Sequence, residues 1–386
     1  MNLKRSQKLI AVAIVALSLT ACKKDIKPLP SNEELSTESA GNNHGHNGFG
    51  GNVYTLSNQA SKNKVMVYRR AQDGKLTFID DFSTGGKGTG SGLGSQGALI
   101  LAGDDDILLA VNAGSNTISS FKISGDRLNQ VSTVHSGGLM PISITQHDDL
   151  VYVLNAGGNG NISGFRIYDN GKLSPIPYSK RPLSSNTAGP AQISFVNDGK
   201  VLVITEKDVN KIITYTINHF GTPGVFHSIS SATATPFGFA VRGFGNIIVS
   251  EAAGGAPGAS VLSSYYVNFN GSISLVEGSV SAGQTAACWV VVTDNNRYTY
   301  TTNTGSNNVS SFKVGFGGGL DVLSSIAATS GTGPIDADLS ENSRYLYVLN
   351  SGSSSINAYG VSNTGNLSDV QTVTGLPAGT IGLAAK

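Results

Sequence analysis

Two carboxylates stand where related positions carry amides or a hydroxyl. Glu206 closes the run "VLVITE" and Glu251 closes "NIIVSE", and each is the last residue before a small, polar knuckle. At the corresponding place elsewhere the chain has Ser57, Asn112, Asn155, Asn303 and Asn350. A carboxylate accepts or delivers a proton, and partial desolvation brings its pKa toward neutrality. Glu206 and Glu251 are therefore the candidates for a general base activating water against an ester-like carbonyl. The same position also has a structural use, in which a side-chain oxygen accepts the backbone N–H groups of the knuckle.

The elements that must position these residues are repeated. "ILLAVNAGSNTISSFKI" at 107–123 returns as "VYVLNAGGNGNISGFRI" at 151–167, "YTYTTNTGSNNVSSFKV" at 298–314 and "YLYVLNSGSSSINAYGV" at 345–361. Each is an alternating strand, a Gly/Ser/Asn turn and a second strand. The seven knuckle anchors are separated by 55, 43, 51, 45, 52 and 47 residues. That period is the length of a propeller blade. A further strand precedes each pair, often entered by Pro, as in "GPAQISFV" at 189–196 and "GPIDADL" at 333–339. A weaker outer strand follows a turn such as "DNGKL" at 169–173. The expected fold is all-β: a seven-bladed β-propeller with four antiparallel strands per blade, spanning residues 51–386. The first copy starts at its second strand and the last ends in an unpaired "PAGTIGLAAK" at 377–386. The C-terminal strand is thus expected to complete the first blade and close the ring, removing open edges.

In such a ring the anchors and the starts of the inner strands share one face, around the mouth of the central channel. This adds Gln192, Asp336, Gln96 and, slightly deeper, Trp289 as candidate substrate-binding residues. Arg242 in "AVRGFG" belongs on the opposite face, as does the "AGDDD" turn at 102–106, which lacks the spaced ligands of a calcium loop. The Gly-rich "GKGTGSGLG" at 86–94 lacks the order of a phosphate loop. His135, His147, His219 and His227 show no metal spacing, and neither a metal nor a cofactor is expected.

The N-terminus carries a different message. Lys4, Arg5 and Lys8 precede an apolar stretch at 9–21 that is too short to span a bilayer and ends in Leu-Thr-Ala-Cys at 19–22. Residues 1–21 read as a lipoprotein signal peptide, with Cys22 as the lipidation site. Residues 22–50, rich in Pro, Ser, Asn, Gly and charge, read as a tether; His44 and His46 within it are too few for a metal site. The expected location is the cell envelope, on the outer membrane and outside the cytoplasm. The other cysteine, Cys288 in "TAACWVVV", reads as a buried structural thiol. Of 386 residues only 13% are charged and the formal net charge is +1, so nucleic acid is not an expected partner. A monomer is expected.

The blade pattern "DGK-x-LYVxN-x-G-x-N-x-I-x-x-F-x-I" resembles the seven-bladed lactonase-type propellers over about residues 51–386. That group includes bacterial cytoplasmic 6-phosphogluconolactonases and the fungal 3-carboxy-cis,cis-muconate lactonizing enzyme. The resemblance implies lactone opening or closing without metal or organic cofactor, by a rim cluster of His, Arg and Glu. Matched by blade order, the family's Glu falls on Glu251, with Glu206 one blade earlier. Ala191 or Gln192 stands where the His is expected, and Asn303-Thr304-Gly305 where an Arg-Gly knuckle is expected. The implied function is an extracytoplasmic lactonase-like hydrolase acting on a small lactone or related metabolite. The alternative is a non-catalytic propeller whose rim binds a glycan, peptide or protein partner.

Overall fold

The structure, a computed structural model, describes residues 49–243 and 245–386. The expected signal peptide, Cys22, His44, His46 and nearly all of the expected tether lie outside the described residues. Seven antiparallel sheets follow one another around a ring. Blade 2 begins at 99, blade 3 at 139, blade 4 at 190, blade 5 at 236, blade 6 at 287 and blade 7 at 334. Among the described residues the one helical element is a three-residue 3-10 turn, Ala253–Gly255.

Blade 1 is completed from both ends of the chain. Ile381–Ala385 pairs antiparallel with Phe49–Leu56, placing Val53 opposite Ala385 and Thr55 opposite Leu383. This is the ring closure that the sequence implies. The outer strand of blade 3 departs from the regular plan. It is split into Leu173–Pro175 and Arg181–Pro182. Between them the Ser179 hydroxyl accepts the Gly164 N–H at 2.9 Å, so a side chain replaces a missing ladder partner.

The core lies between blades. Tyr152, Leu154 and Ile162 of blade 3 pack against Ile193, Leu202 and Ile213 of blade 4. Val201 and Ile212 of blade 4 pack in turn against Phe239, Ile247 and Tyr265 of blade 5. Burying each such side chain contributes about 1.5–3 kcal/mol, and half of every contact belongs to a neighbour. A blade therefore depends on the next for its stability.

Hydrogen bonds staple the same seams. The hydroxyls of Tyr152, Thr214, Tyr300 and Tyr347 donate to the carbonyls of Gly221, Gly271, Gly365 and Gly74, each in the following blade. Each of those glycines lies in the turn between the third and outer strands. Gly271 shows why glycine is needed: its φ is +88°, and an added Cβ would meet the His227 ring at 3.1 Å.

Candidate functional site

The start of each inner strand and the end of each second strand meet on one face, hereafter the upper face. Pro190 pairs with Glu206, Pro236 with Glu251, Ala287 with Asn303 and Pro334 with Asn350. Arg242 ends its strand on the opposite, lower face, where its Nε donates to the Asn296 carbonyl at 3.1 Å. The 103–106 turn also lies on that face, and Lys122 pairs with Asp106 there.

Both Glu anchors are fully buried, with no exposed surface. Glu251 accepts four hydrogen bonds. Oε1 takes the Ala232 N–H at 3.1 Å and the Tyr265 hydroxyl at 2.5 Å. Oε2 takes the Thr233 N–H at 2.7 Å and the Ser263 hydroxyl at 2.8 Å. Burial pushes the Glu251 carboxyl above the usual carboxylate range, against the pull of these four donors. Burial and then the Glu251 charge push the Tyr265 phenol up in turn. Glu206 accepts the Ser184 N–H at 2.9 Å and the Ser184 hydroxyl. Burial raises its carboxyl too, opposed by Ser184 and by the charge of Lys211. The two carboxylates share no hydrogen-bond partner: each is turned into the top of its own blade.

The mouth of the channel is occupied by protein. The connection from blade 1 to blade 2 runs across it. Gly94 accepts from the Lys207 ammonium at 2.7 Å, and Ser95 accepts from the Trp289 indole at 3.1 Å. Gln96 reaches blade 6, accepting the Val290 N–H at 3.1 Å and donating to the Val290 carbonyl at 2.8 Å. Gly97 accepts the Ile144 N–H of blade 3 at 2.8 Å. Residues 94–97 thus tie blades 3, 4 and 6 together across the axis. Gly238 leaves room for this crossing, since a Cβ there would sit 2.3 Å from Gln96 Oε1. Trp289 lies beneath, packed at 5.0 Å on the Phe237 ring, and the Lys207 ammonium lies 4.8 Å over that same Phe237 ring. Cys288 is buried beside it, as a structural thiol should be.

Gln192 and Asp336 line the axis, where they satisfy the unpaired inner edge of the next blade. Gln192 accepts the Phe239 N–H at 2.6 Å and donates to its carbonyl at 2.9 Å. Asp336 accepts the Ala337 N–H at 2.9 Å and a further N–H from Leu383. Asp338, two residues on, accepts the Ala385 N–H at 2.9 Å. Burial holds Asp336 well above the usual carboxylate range and brings Asp338 to about 7. Of the residues singled out in the sequence, Gln96 and Trp289 meet at the mouth. Glu206, Glu251 and Asp336 remain separate from them and from one another.

The residues missed by sequence reasoning are Ser184, Ser263 and Tyr265, which consume the carboxylates, and the 94–97 crossing. The crossing did leave a trace: the longest anchor spacing, 55 residues, is the one that contains it. Two open hollows lie away from the axis. One, of about 430 Å³, is lined on the upper rim of blade 3 by Leu139, the 157–160 knuckle, Lys180 and Arg181. Among the described residues no group of three or more His, Cys, Asp or Glu is placed to hold a metal ion.

Fold and sequence together define the class. The family model "Lactonase, 7-bladed beta-propeller" matches residues 50–180 and 267–385, more than half of the chain. The chain belongs to this lactonase family of seven-bladed propellers. Among solved structures it is similar to a Bacteroides fragilis protein assigned as a 6-phosphogluconolactonase, with 16% identity and a TM-score of 0.68 over 86% of this chain and 97% of the other. It is also similar to the Pseudomonas aeruginosa periplasmic gluconolactonase, with 18% identity and a TM-score of 0.66 over 85% and 98%. A Lactobacillus plantarum protein aligns at 18% identity and a TM-score of 0.68 over 86% and 98%. At these identities the likeness is one of fold. No curated protein matches the chain.

Proposed function

We propose that this lactonase-family propeller acts from the cell envelope as a binding module, with Glu206 and Glu251 serving as knuckle anchors. One observation carries the reading: both carboxylates are fully buried and their oxygens are engaged by donors from their own blades and from the connections leading into them. A general base needs a lone pair directed at the water it activates. Each oxygen of Glu251 already accepts two hydrogen bonds, and the mouth above the axis is filled by 94–97. A glycan, peptide or protein partner would engage the rim from outside. The protein would be a monomer held at the outer membrane by lipid on Cys22, outside the cytoplasm, with 1–21 removed and 22–50 as tether. The mass of the N-terminal peptide from the membrane fraction tests that anchor.

The second reading is lactone hydrolysis with Glu251 as base, favoured by the family match together with the raised Glu251 carboxyl. Its substrate would be a small lactone or related ester, with Gln192, Asp336, Gln96 and Trp289 as contacts and no cofactor. The full chain assayed against a lactone panel, beside Glu206→Gln and Glu251→Gln, separates the two. Binding without turnover is the expected result. Turnover that falls at least a hundredfold in a variant of unchanged stability would establish the hydrolase instead.

A further inference from the structure

Six blades share a five-residue turn between the third and outer strands on the lower face, closed by paired backbone hydrogen bonds around a positive-φ glycine. In blade 1 the turn is "AQDGK", in blade 3 "YDNGK" and in blade 7 "SNTGN". In blades 4, 5 and 6 it is "NHFGT", "NFNGS" and "GFGGG", and each of these carries a phenylalanine. Phe220 is 65% exposed, Phe269 60% and Phe316 fully exposed. These three turns contain no carboxylate, and His219 is their one ionisable residue.

The apolar character continues up the adjoining outer strands. Val225 and Phe226, Leu275 and Val276, and Val322 and Leu323 are all exposed near the starts of their strands. Blade 7 shows no exposed large apolar side chain among the described residues. The phenylalanine tips occupy three adjacent blades, and on the blade 3 side the half-exposed Tyr168 ring stands in the corresponding turn. Exposed apolar surface gathered in one place marks an interaction surface. Projecting tips on separate turns suit a soft, deformable partner better than a flat protein face, and Lys200, whose ammonium lies 5.5 Å over the Phe269 ring, adds a cation at this edge.

We propose that this sector is a membrane-docking edge, with Phe220, Phe269 and Phe316 inserting into the interfacial layer of a lipid bilayer. The proposal rests on the anchoring part of the reading above. The described chain enters blade 1 at Phe49 on the same lower face, where the Asn52 amide donates to the Gly125 carbonyl at 2.9 Å, in the corresponding turn of blade 2. Cys22 lies 27 residues before Phe49. That length of chain reaches at most about 90 Å, ample for a lipid on Cys22 and the tips to share one bilayer. The staples described above hold two of the tips: Tyr152 grips the blade 4 turn at Gly221 and Thr214 grips the blade 5 turn at Gly271. Lipid attachment and tip insertion are then two weak signals acting on one surface, which together give stable residence.

The test uses the full chain bound to phosphatidylethanolamine/phosphatidylglycerol vesicles that contain brominated lipid. Phe269→Trp and Phe316→Trp are compared with Asn363→Trp, in the same turn of blade 7. The one native Trp289 is buried and supplies a constant background. Expected is a blue shift and at least twofold quenching at 269 and 316, with neither at 363. Absence of quenching at 269 and 316 overturns the proposal and assigns the sector to a protein partner; equal quenching at all three positions also overturns it. Cys22→Ser carried through the same measurement keeps the two ideas apart. Quenching that persists in Cys22→Ser supports the docking edge independently of the anchor. A lipidated chain with unquenched tips leaves the anchor standing and overturns the docking edge.

Discussion

Blades 5 and 6 are neighbours with the same four strands, yet one closes its second strand with Glu251 and the other with Asn303. Asn303 donates through Nδ2 to Asn308 Oδ1 at 2.7 Å and to the Ser310 hydroxyl at 2.8 Å. Glu251 can only accept, and its surroundings have changed to match. Ser263 turns its hydroxyl toward the carboxylate, and the third-strand aromatic is Tyr265, where blade 6 has Phe312. The backbone N–H groups of Ala232 and Thr233 complete the set. One blade supplies acceptors to an amide and the other supplies donors to a carboxylate. A residue that looks like chemistry in the sequence is, in the fold, the acceptor half of a local hydrogen-bond arrangement. Blade 4 is intermediate: Ile213 stands at the Ser263 position and the Tyr215 hydroxyl donates to the Pro182 carbonyl, so Glu206 turns to Ser184.

The largest expected effect removes what both knuckles depend on. Deleting 377–386 strips blade 1 of its inner strand and opens the ring, and Asp336 and Asp338 lose the N–H groups of Leu383 and Ala385. Loss of the cooperative melt and of soluble protein is expected; an unchanged melting curve would show that the ring does not need its seam. Next comes Glu251→Ala, which takes the acceptor from the Thr233 N–H and from the Ser263 and Tyr265 hydroxyls, while the Ala232 N–H keeps the Tyr265 oxygen, and should destabilise by about 3 kcal/mol. Glu206→Ala, with Ser184 as its one hydrogen-bonding partner among the described residues, should cost about 1–2 kcal/mol; urea titration of both variants compares the two losses. Equal losses would mean that the number of donors does not set the cost.

Exchanging the two designs sharpens the contrast. Asn303→Glu puts a carboxylate against the Asn308 carbonyl oxygen with no donor to receive it, and a loss of about 2 kcal/mol is expected. Asp338 gives the smallest and most informative change. Its folded carboxyl is raised from 3.8 to about 7, chiefly by burial, so the folded chain holds this proton more tightly than the unfolded chain. Stability from this site is therefore fully present below about pH 4 and declines as the pH rises to about 7. Asp338→Asn should flatten that slope and gain about 1 kcal/mol at pH 8. A slope that survives the substitution would place the titration elsewhere.

Much of this architecture was legible in advance. Alternating strands, "DGK"-type turns and regularly spaced knuckles are local features, and their sevenfold recurrence leaves few folds that can bury them. The unpaired strand at each end foretold the closure. The candidate site was less legible. The anchors do lie on one face, but their side chains turn into the blades, because Ser263 and Tyr265 in one and Ser184 in the other offer donors there. Gln96 and Gln192 were placed near the mouth, yet they are taken up by Val290 and Phe239 backbone groups. Nothing local announces that the Gly-rich 86–94 segment leads into a plug, since its partners lie 47 to 194 residues away.

By itself, then, the sequence determined the repeat, the blade count, the ring closure and the turn chemistry, because each rests on short-range backbone preference and on the two-residue period of a strand. Only the tertiary structure decided which carboxylates meet water and which meet donors, what fills the axis, and which turns stand side by side on the lower edge. Those outcomes depend on packing between blades, where a side chain's partners are set by the closing of the ring rather than by its neighbours in the chain.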